Sequence, residues 1–70
     1  LYRGQGDLDA ARFELEEGLK HKPEFVPIHI ALGVVLLAQG DVELAVERWR
    51  DALKRDPENK TATMYLRMAP

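Results

Sequence analysis

The residues of this sequence best suited to catalysis or metal binding are its two histidines. His21 and His29 stand eight positions apart, and Glu24 is the one obvious further ligand near them. A zinc site needs three or four donors around one point, whereas a proline-bounded turn is predicted between these two histidines. We therefore interpret His21 as a cation at a helix end and His29 as a polar residue near a helix start, and predict no metal and no cofactor.

Other patterns that could carry chemistry are equally sparse. No Ser/His/Asp arrangement or pair of carboxylates recurs on one predicted face, and Gly4, Gly6 and Gly33 lack the lysine that a phosphate-binding loop requires. The sequence has no cysteine, which excludes disulfides and thiolate metal sites. A chain of 70 residues buries only ~60% of its unfolded surface, which leaves little material for a catalytic cleft. We predict that the chain is not an enzyme.

The charges argue against a nucleic-acid partner. Ten Lys or Arg oppose twelve Asp or Glu, for a formal net charge of -2. The basic residues that would have to form such an interface are Arg48, Arg50, Lys54, Arg55, Lys60 and Arg67. The acidic residues that balance them one for one are Asp41, Glu43, Glu47, Asp51, Asp56 and Glu58. A nucleic-acid binder would show a clear basic excess, so we predict no nucleic-acid binding.

The longest apolar stretch runs from Phe25 to Ala38 and is interrupted only by His29. Its fourteen residues fall short of the ~20 that span a bilayer, so no membrane insertion is predicted. A helix that is apolar all round is normally buried, so we expect this one in the middle of the fold. The chain begins with Leu1 and shows no signal peptide, and we expect it to be a fragment of a longer protein.

The strongest pattern is an internal repeat with an offset of 34 residues. The segment 5–7 recurs as 39–41, both reading Gln-Gly-Asp, and Pro23 recurs as Pro57. Further matches are Ala11 with Ala45, Leu19 with Leu53, Lys20 with Lys54, Glu24 with Glu58 and Leu32 with Leu66. Self-similarity at this period is typical of arrays of stacked helical units.

Each unit is predicted to contain two helices joined by a tight turn. Gly6-Asp7 and Gly40-Asp41 are the predicted turns, because glycine can adopt the left-handed conformation that ends a helix and aspartate can cap the next one. Pro23 and Pro57 end the second helices. We predict helices near 8–21, 25–38, 42–55 and 60–68, with residues 1–5 as the stub of an earlier helix.

The predicted helix over 42–55 has a single apolar face. Its residues are Val42, Ala45, Val46, Trp49, Ala52 and Leu53, at spacings typical of an amphipathic helix. Small and large side chains alternate along this face. We therefore expect Trp49 to be buried against the apolar helix, and Ala45 to lie where two helices approach closely.

The sequence resembles the tetratricopeptide repeat family over essentially its whole length. In the complete unit the matching positions are Leu32, Gly33, Leu36, Gly40, Asp41, Ala45, Trp49, Ala52 and Pro57. In the preceding unit they are Tyr2, Gly6, Asp7, Ala11, Leu15, Gly18 and Pro23. The resemblance implies an all-α fold of antiparallel helix-turn-helix repeats stacked as a right-handed α-solenoid.

The repeat boundaries follow from this resemblance. Residues 1–25 would be an incomplete first repeat and 26–59 a complete one, while 60–70 would begin a third repeat or form a capping helix. Two positions depart from the family pattern. His29 interrupts an apolar run early in a first helix, and Pro70 occupies the position equivalent to Tyr2 and Leu36.

The function that the resemblance implies is that of a scaffold, which binds a peptide or partner protein in a concave groove lined by the first helices. Lysine and asparagine, which family members use there to bind C-terminal carboxylates, are replaced by apolar residues. The candidate partner-binding residues are Ile30, Val34, Leu37, Met64 and Met68. The same stripe could instead serve packing between repeats or a homo-oligomer. A further alternative is an oligomerisation or regulatory module attached to an enzyme domain outside this sequence.

Overall fold

The computed structural model describes residues 5–69, and within that range the chain is all α-helical. The helices are α1 Gln5–His21, α2 Val26–Ala38, α3 Val42–Arg55 and α4 Lys60–Met68. Each helix packs chiefly against its neighbours in sequence. Because the connections are short, successive helices run antiparallel. The predicted fold of paired antiparallel helices is therefore confirmed.

The helix limits are set by local signals that the sequence contains. Phe25 precedes α2 with an extended backbone, and Pro27 occupies the first turn of that helix, where a missing amide proton costs no hydrogen bond. The side chain of Asn59 caps α4 by accepting a hydrogen bond of 2.9 Å from the amide of Ala62. The observed limits of α2, α3 and α4 lie within one residue of the prediction.

Gly40 forms the turn between α2 and α3. Its φ of +88° lies in the left-handed region, where glycine alone has no Cβ penalty. The amides of Gly40 and Asp41 donate to the carbonyls of Leu37 and Leu36 at 3.0 and 2.9 Å. The Asp41 carboxylate does not cap α3, contrary to the prediction, and instead accepts a hydrogen bond from Arg12 of α1 at 3.3 Å.

The turn predicted at Gly6-Asp7 is wrong, because α1 runs through both residues without a break. The predicted stub over residues 1–5 contributes only Gln5, the first residue of α1, while Tyr2, Gly4 and the rest of 1–4 lie outside the described residues, as does Pro70. The tripeptide Gln-Gly-Asp permits a turn without enforcing one. The turn at 39–41 contacts α1, because Asp9 of α1 accepts a hydrogen bond of 2.7 Å from the side chain of Gln39.

The core lies between α2 and α3. Leu32 and Leu36 from α2 form its central cluster with Ala45 and Trp49 from α3. Trp49 and Ala45 are both 0% exposed, so the indole is buried as predicted and Ala45 lies in the cluster between the two helices. The apolar helix α2 contacts both α1 and α3 and is central, as predicted.

Gly33 lets the indole of Trp49 lie directly against α2. A Cβ at Gly33 would meet Nε1 of Trp49 and fall 2.7 Å from its Cε2, well inside van der Waals contact. The Nε1 proton is donated to the carbonyl of Ile30 at 3.2 Å, so the buried indole nitrogen is satisfied. The missing side chain of Gly33 is therefore what allows α3 to approach α2 so closely.

Candidate functional site

An apolar cleft lies between α2 and α4, whose sequences are related by the 34-residue offset. From α2 it is lined by Pro27, Ile30, Ala31, Val34 and Val35. From α4 and the residue before it, the lining consists of Asn59, Thr61 and Tyr65. We refer to this surface as the α2–α4 cleft. It contains two of the five predicted partner-binding residues, Ile30 and Val34.

The α2 wall of the cleft is fixed by the core behind it. Ile30 and Val34 lie one helical turn apart, are half-buried, and pack against the core cluster. The Ile30 carbonyl also accepts the hydrogen bond from Trp49. Because both side chains are anchored in this way, the wall exists before any ligand arrives.

The α4 wall is fixed by the same tryptophan. Tyr65 stacks on Trp49 with a distance of 5.1 Å between ring centroids and an angle of 11° between ring planes. Tyr65 is not among the site residues predicted from the sequence. The available signal was its position 34 residues after Ala31, which lines the same cleft.

No charged side chain lines the α2–α4 cleft among the residues that the structure describes there. The amide group of Asn59 is already occupied, because it bonds Asp56 as well as the amide of Ala62. The hydroxyls of Thr61 and Tyr65 make no hydrogen bond to any other described residue. The cleft thus combines an aliphatic wall on α2 with two hydroxyls on α4 that can bond a ligand.

Met64 and Met68 line a different surface. They are 48% and 69% exposed and belong to a second hollow, which we call the α4 outer patch. Its other lining residues are Pro57, Glu58, Lys60, Thr63 and Arg67. Leu37, the fifth predicted residue, is half-buried against the core cluster. The predicted stripe is thus divided between two surfaces, and Ile30 and Val34 are the members that lie together in the cleft.

The two histidines lie in different environments. His21 is the exposed last residue of α1, whereas His29 is only 4% exposed. Nε2 of His29 lies 2.8 Å from the carbonyl of Pro23, and since a carbonyl only accepts, this nitrogen carries the proton. Nδ1 is buried without a partner in the described chain. Residues 5–69 hold no cluster of three His, Asp or Glu side chains around one point.

Phe13 marks a third surface, on the side of α1 that faces α3. It is 63% exposed and lines a hollow together with Leu44, which is 43% exposed. Leu32 and Leu36 reach the base of this hollow. Charged side chains from both helices surround it, Arg12 and Arg48 among them, so it is less apolar than the α2–α4 cleft.

Charged side chains on the helix surfaces pair locally. Lys20 donates a hydrogen bond of 2.8 Å to Glu17, and this contact together with the charge of Lys20 lowers the pKa of Glu17. The same hydrogen bond and opposite charge raise the pKa of Lys20. Arg48, one of the six basic residues considered above, lies 2.9 Å from Asp51. Surface ion pairs of this kind contribute little to stability.

None of the helices described between residues 5 and 69 combines the length and the apolar character needed to cross a membrane.

The sequence matches the family model of the tetratricopeptide repeat over residues 2–67. The matched region contains the whole of α1, α2 and α3 and nearly all of α4. The chain has no significant match among curated proteins or among solved structures.

Proposed function

Because the chain belongs to the tetratricopeptide repeat family, we propose that it binds an uncharged, apolar peptide segment in the α2–α4 cleft. Tetratricopeptide repeats are protein-interaction modules and are typically not enzymes. The observation that carries the proposal is the composition of the cleft, in which aliphatic side chains line one wall and two hydroxyls that bond no other described residue line the other.

The lining of the cleft defines what kind of segment would fit. Ile30 and Val34 would contact aliphatic side chains of the ligand, and their burial would supply most of the affinity. The hydroxyls of Thr61 and Tyr65 would bond main-chain amides or carbonyls. A ligand carboxylate or ammonium would find no counter-charge in the cleft and would lose hydration on entering it. The proposed ligand is therefore an apolar segment rather than an acidic tail.

Leu37 lies one turn beyond Val34 on α2 and would extend the contact for a longer ligand. Met64 and Met68 would be reached only by a partner large enough to cross α4, because they line the outer patch. In this proposal Ile30, Val34 and Tyr65 form the binding centre.

The direct test is to select binders from a random peptide library against the 70-residue chain and to measure the affinity of a synthetic, end-capped hit by calorimetry. Val34→Glu introduces a charge into the cleft and should weaken binding by about tenfold or more, which corresponds to about 1.4 kcal/mol. Met68→Glu makes the same kind of change on the α4 outer patch and should leave the affinity unchanged. Far-UV circular dichroism must show that both variants remain folded.

The outcomes separate the two surfaces. Loss of affinity in Val34→Glu alone supports the cleft. Loss in Met68→Glu alone would move the peptide site to the outer patch, and unchanged affinity in both variants would remove these residues from peptide recognition.

A further inference from the structure

The residues of the α4 outer patch take no part in the proposed peptide site. Met64 and Met68 are among the most exposed large apolar side chains of the described chain, and they lie side by side in one hollow. Contiguous exposed apolar surface on a soluble protein commonly marks an interface.

A following helix that packs on α4 as α3 packs on α2 does not fit this patch. The α2–α3 contact depends on Gly33, where any Cβ would lie 2.7 Å from Cε2 of Trp49. The residue 34 positions after Gly33 is Arg67, so an indole could not lie against α4 as Trp49 lies against α2. The close α2–α3 contact is therefore not repeated on α4.

Two charges of opposite sign frame the methionines. Glu58 precedes the first turn of α4, and Arg67 lies in its last turn. Within residues 5–69, neither side chain has an ion-pair or hydrogen-bond partner. A two-fold axis would present the same patch to itself in the reverse direction. Glu58 of each copy would then meet Arg67 of the other.

We propose that two copies of this chain pair through their α4 outer patches, with the two α4 helices antiparallel. In the register that joins Glu58 to Arg67 of the second copy, Met68 packs against Pro57 of the second copy. The two Met64 side chains then lie near the axis.

The dimer is expected to be weak. A stable, specific interface buries ~800 Å² on each partner, and the outer patch is one face of a helix of nine residues. Self-association should therefore become measurable at protein concentrations of about 0.1 mM. The proposal is independent of peptide binding, since the cleft residue Val34 does not line the outer patch.

Sedimentation equilibrium of the 70-residue chain across a concentration series tests the pairing. Glu58→Arg and Arg67→Glu each create two contacts between like charges in a homodimer, so each should weaken dimerisation by about tenfold or more. An equimolar mixture of the two variants should restore dimerisation, because opposite charges then face each other at both contacts. Glu47→Arg, an exposed charge reversal on α3 away from the patch, is the matched control and should dimerise as wild type does.

Three results would overturn the proposal. One is a wild-type chain that remains monomeric at millimolar concentration, and another is dimerisation that neither charge reversal weakens. The third is a mixture that fails to recover, which would exclude the antiparallel register. Circular dichroism monitors the fold of each variant, and Met68→Ala, which changes no charge, should also weaken the dimer if the methionines form its centre.

Discussion

Replacement of Gly33 by alanine tests whether the stability of the fold depends on the close contact between α2 and Trp49. In a helix interior, alanine is more favourable than glycine by roughly 1 kcal/mol. At Gly33 the added methyl group would meet Nε1 of Trp49 and lie 2.7 Å from Cε2. The indole has no space to retreat, because it is 0% exposed and stacked on Tyr65.

The expected magnitude follows from three contributions. Overpacking of this kind costs roughly 1–3 kcal/mol, and loss of the hydrogen bond from Trp49 to Ile30 costs a further ~0.5–1.5 kcal/mol. The gain in helix propensity offsets part of this loss. We therefore expect Gly33→Ala to lower the free energy of unfolding by about 1–3 kcal/mol. In a domain of this size, each 1 kcal/mol corresponds to a fall in Tm of roughly 4–8 °C.

The measurement is urea and thermal denaturation followed by circular dichroism, with Gly18→Ala as the matched control. A Cβ at Gly18 would lie 3.0 Å from Cδ1 of Ile28, a terminal methyl group that can rotate away. This control should be neutral or stabilising by up to ~1 kcal/mol. Equal stabilisation by both substitutions would refute the reasoning. In a Trp49→Phe background, Gly33→Ala should cost less than in wild type, because the smaller ring relieves the contact.

Three further predictions concern the core and the surface. Trp49→Ala should lower the free energy of unfolding by ~3–5 kcal/mol, so a melting curve that barely moves would contradict the burial of the indole. Ala45→Leu should lower the free energy of unfolding by ~1–3 kcal/mol through overpacking, whereas Glu47→Leu on the exposed face should change it by less than ~0.5 kcal/mol. Equal losses of stability in the two variants would mean that α3 is rotated about its axis. Since the pKa of Glu17 is lowered in the folded state, its pairing with Lys20 stabilises the fold at neutral pH and this contribution is lost as the pH falls through that pKa. Thermal melts of wild type and Glu17→Gln should therefore converge at acidic pH and in high salt, with only a small difference at neutral pH.

Helix limits could be predicted from the sequence where a local signal and the packing agree. Pro57 and Asn59 fix the link between α3 and α4, and the observed α4 begins at the predicted residue. Gly6 shows where a local signal is insufficient. Its tripeptide is identical to that around Gly40, yet only Gly40 adopts the left-handed conformation. Arg12 of α1 bonds the side chains of Gln39 and Asp41, whereas Gly6 lies within α1 itself. Contacts between distant segments of this kind cannot be predicted from the tripeptide alone.

The candidate site was predictable only in part, because it too depends on contacts between distant segments. The repeat placed Ile30 and Val34 on a first helix with surplus apolar surface, and the structure has both in one cleft. The repeat also aligned Met64 and Met68 with them, but these two residues line the α4 outer patch. Equivalent positions in a repeat form one continuous surface only where the helices have the same orientation and the same neighbours. The role of Tyr65 depends on stacking with Trp49, a contact between two helices whose relative placement the sequence pattern does not specify.

The sequential packing of the helices has a consequence for how the chain folds and opens. Because each helix contacts chiefly the ones before and after it, contact order is low, and such topologies fold rapidly, on timescales of microseconds to milliseconds. An array of this kind need not open all at once, since each end is held by one neighbouring interface. Local opening of α4 would remove one wall of the cleft while the α2–α3 pair stays folded. In the 70-residue chain, amide hydrogen exchange should then be fastest in α4, and the lifetime of the closed cleft would be set by how often α4 detaches.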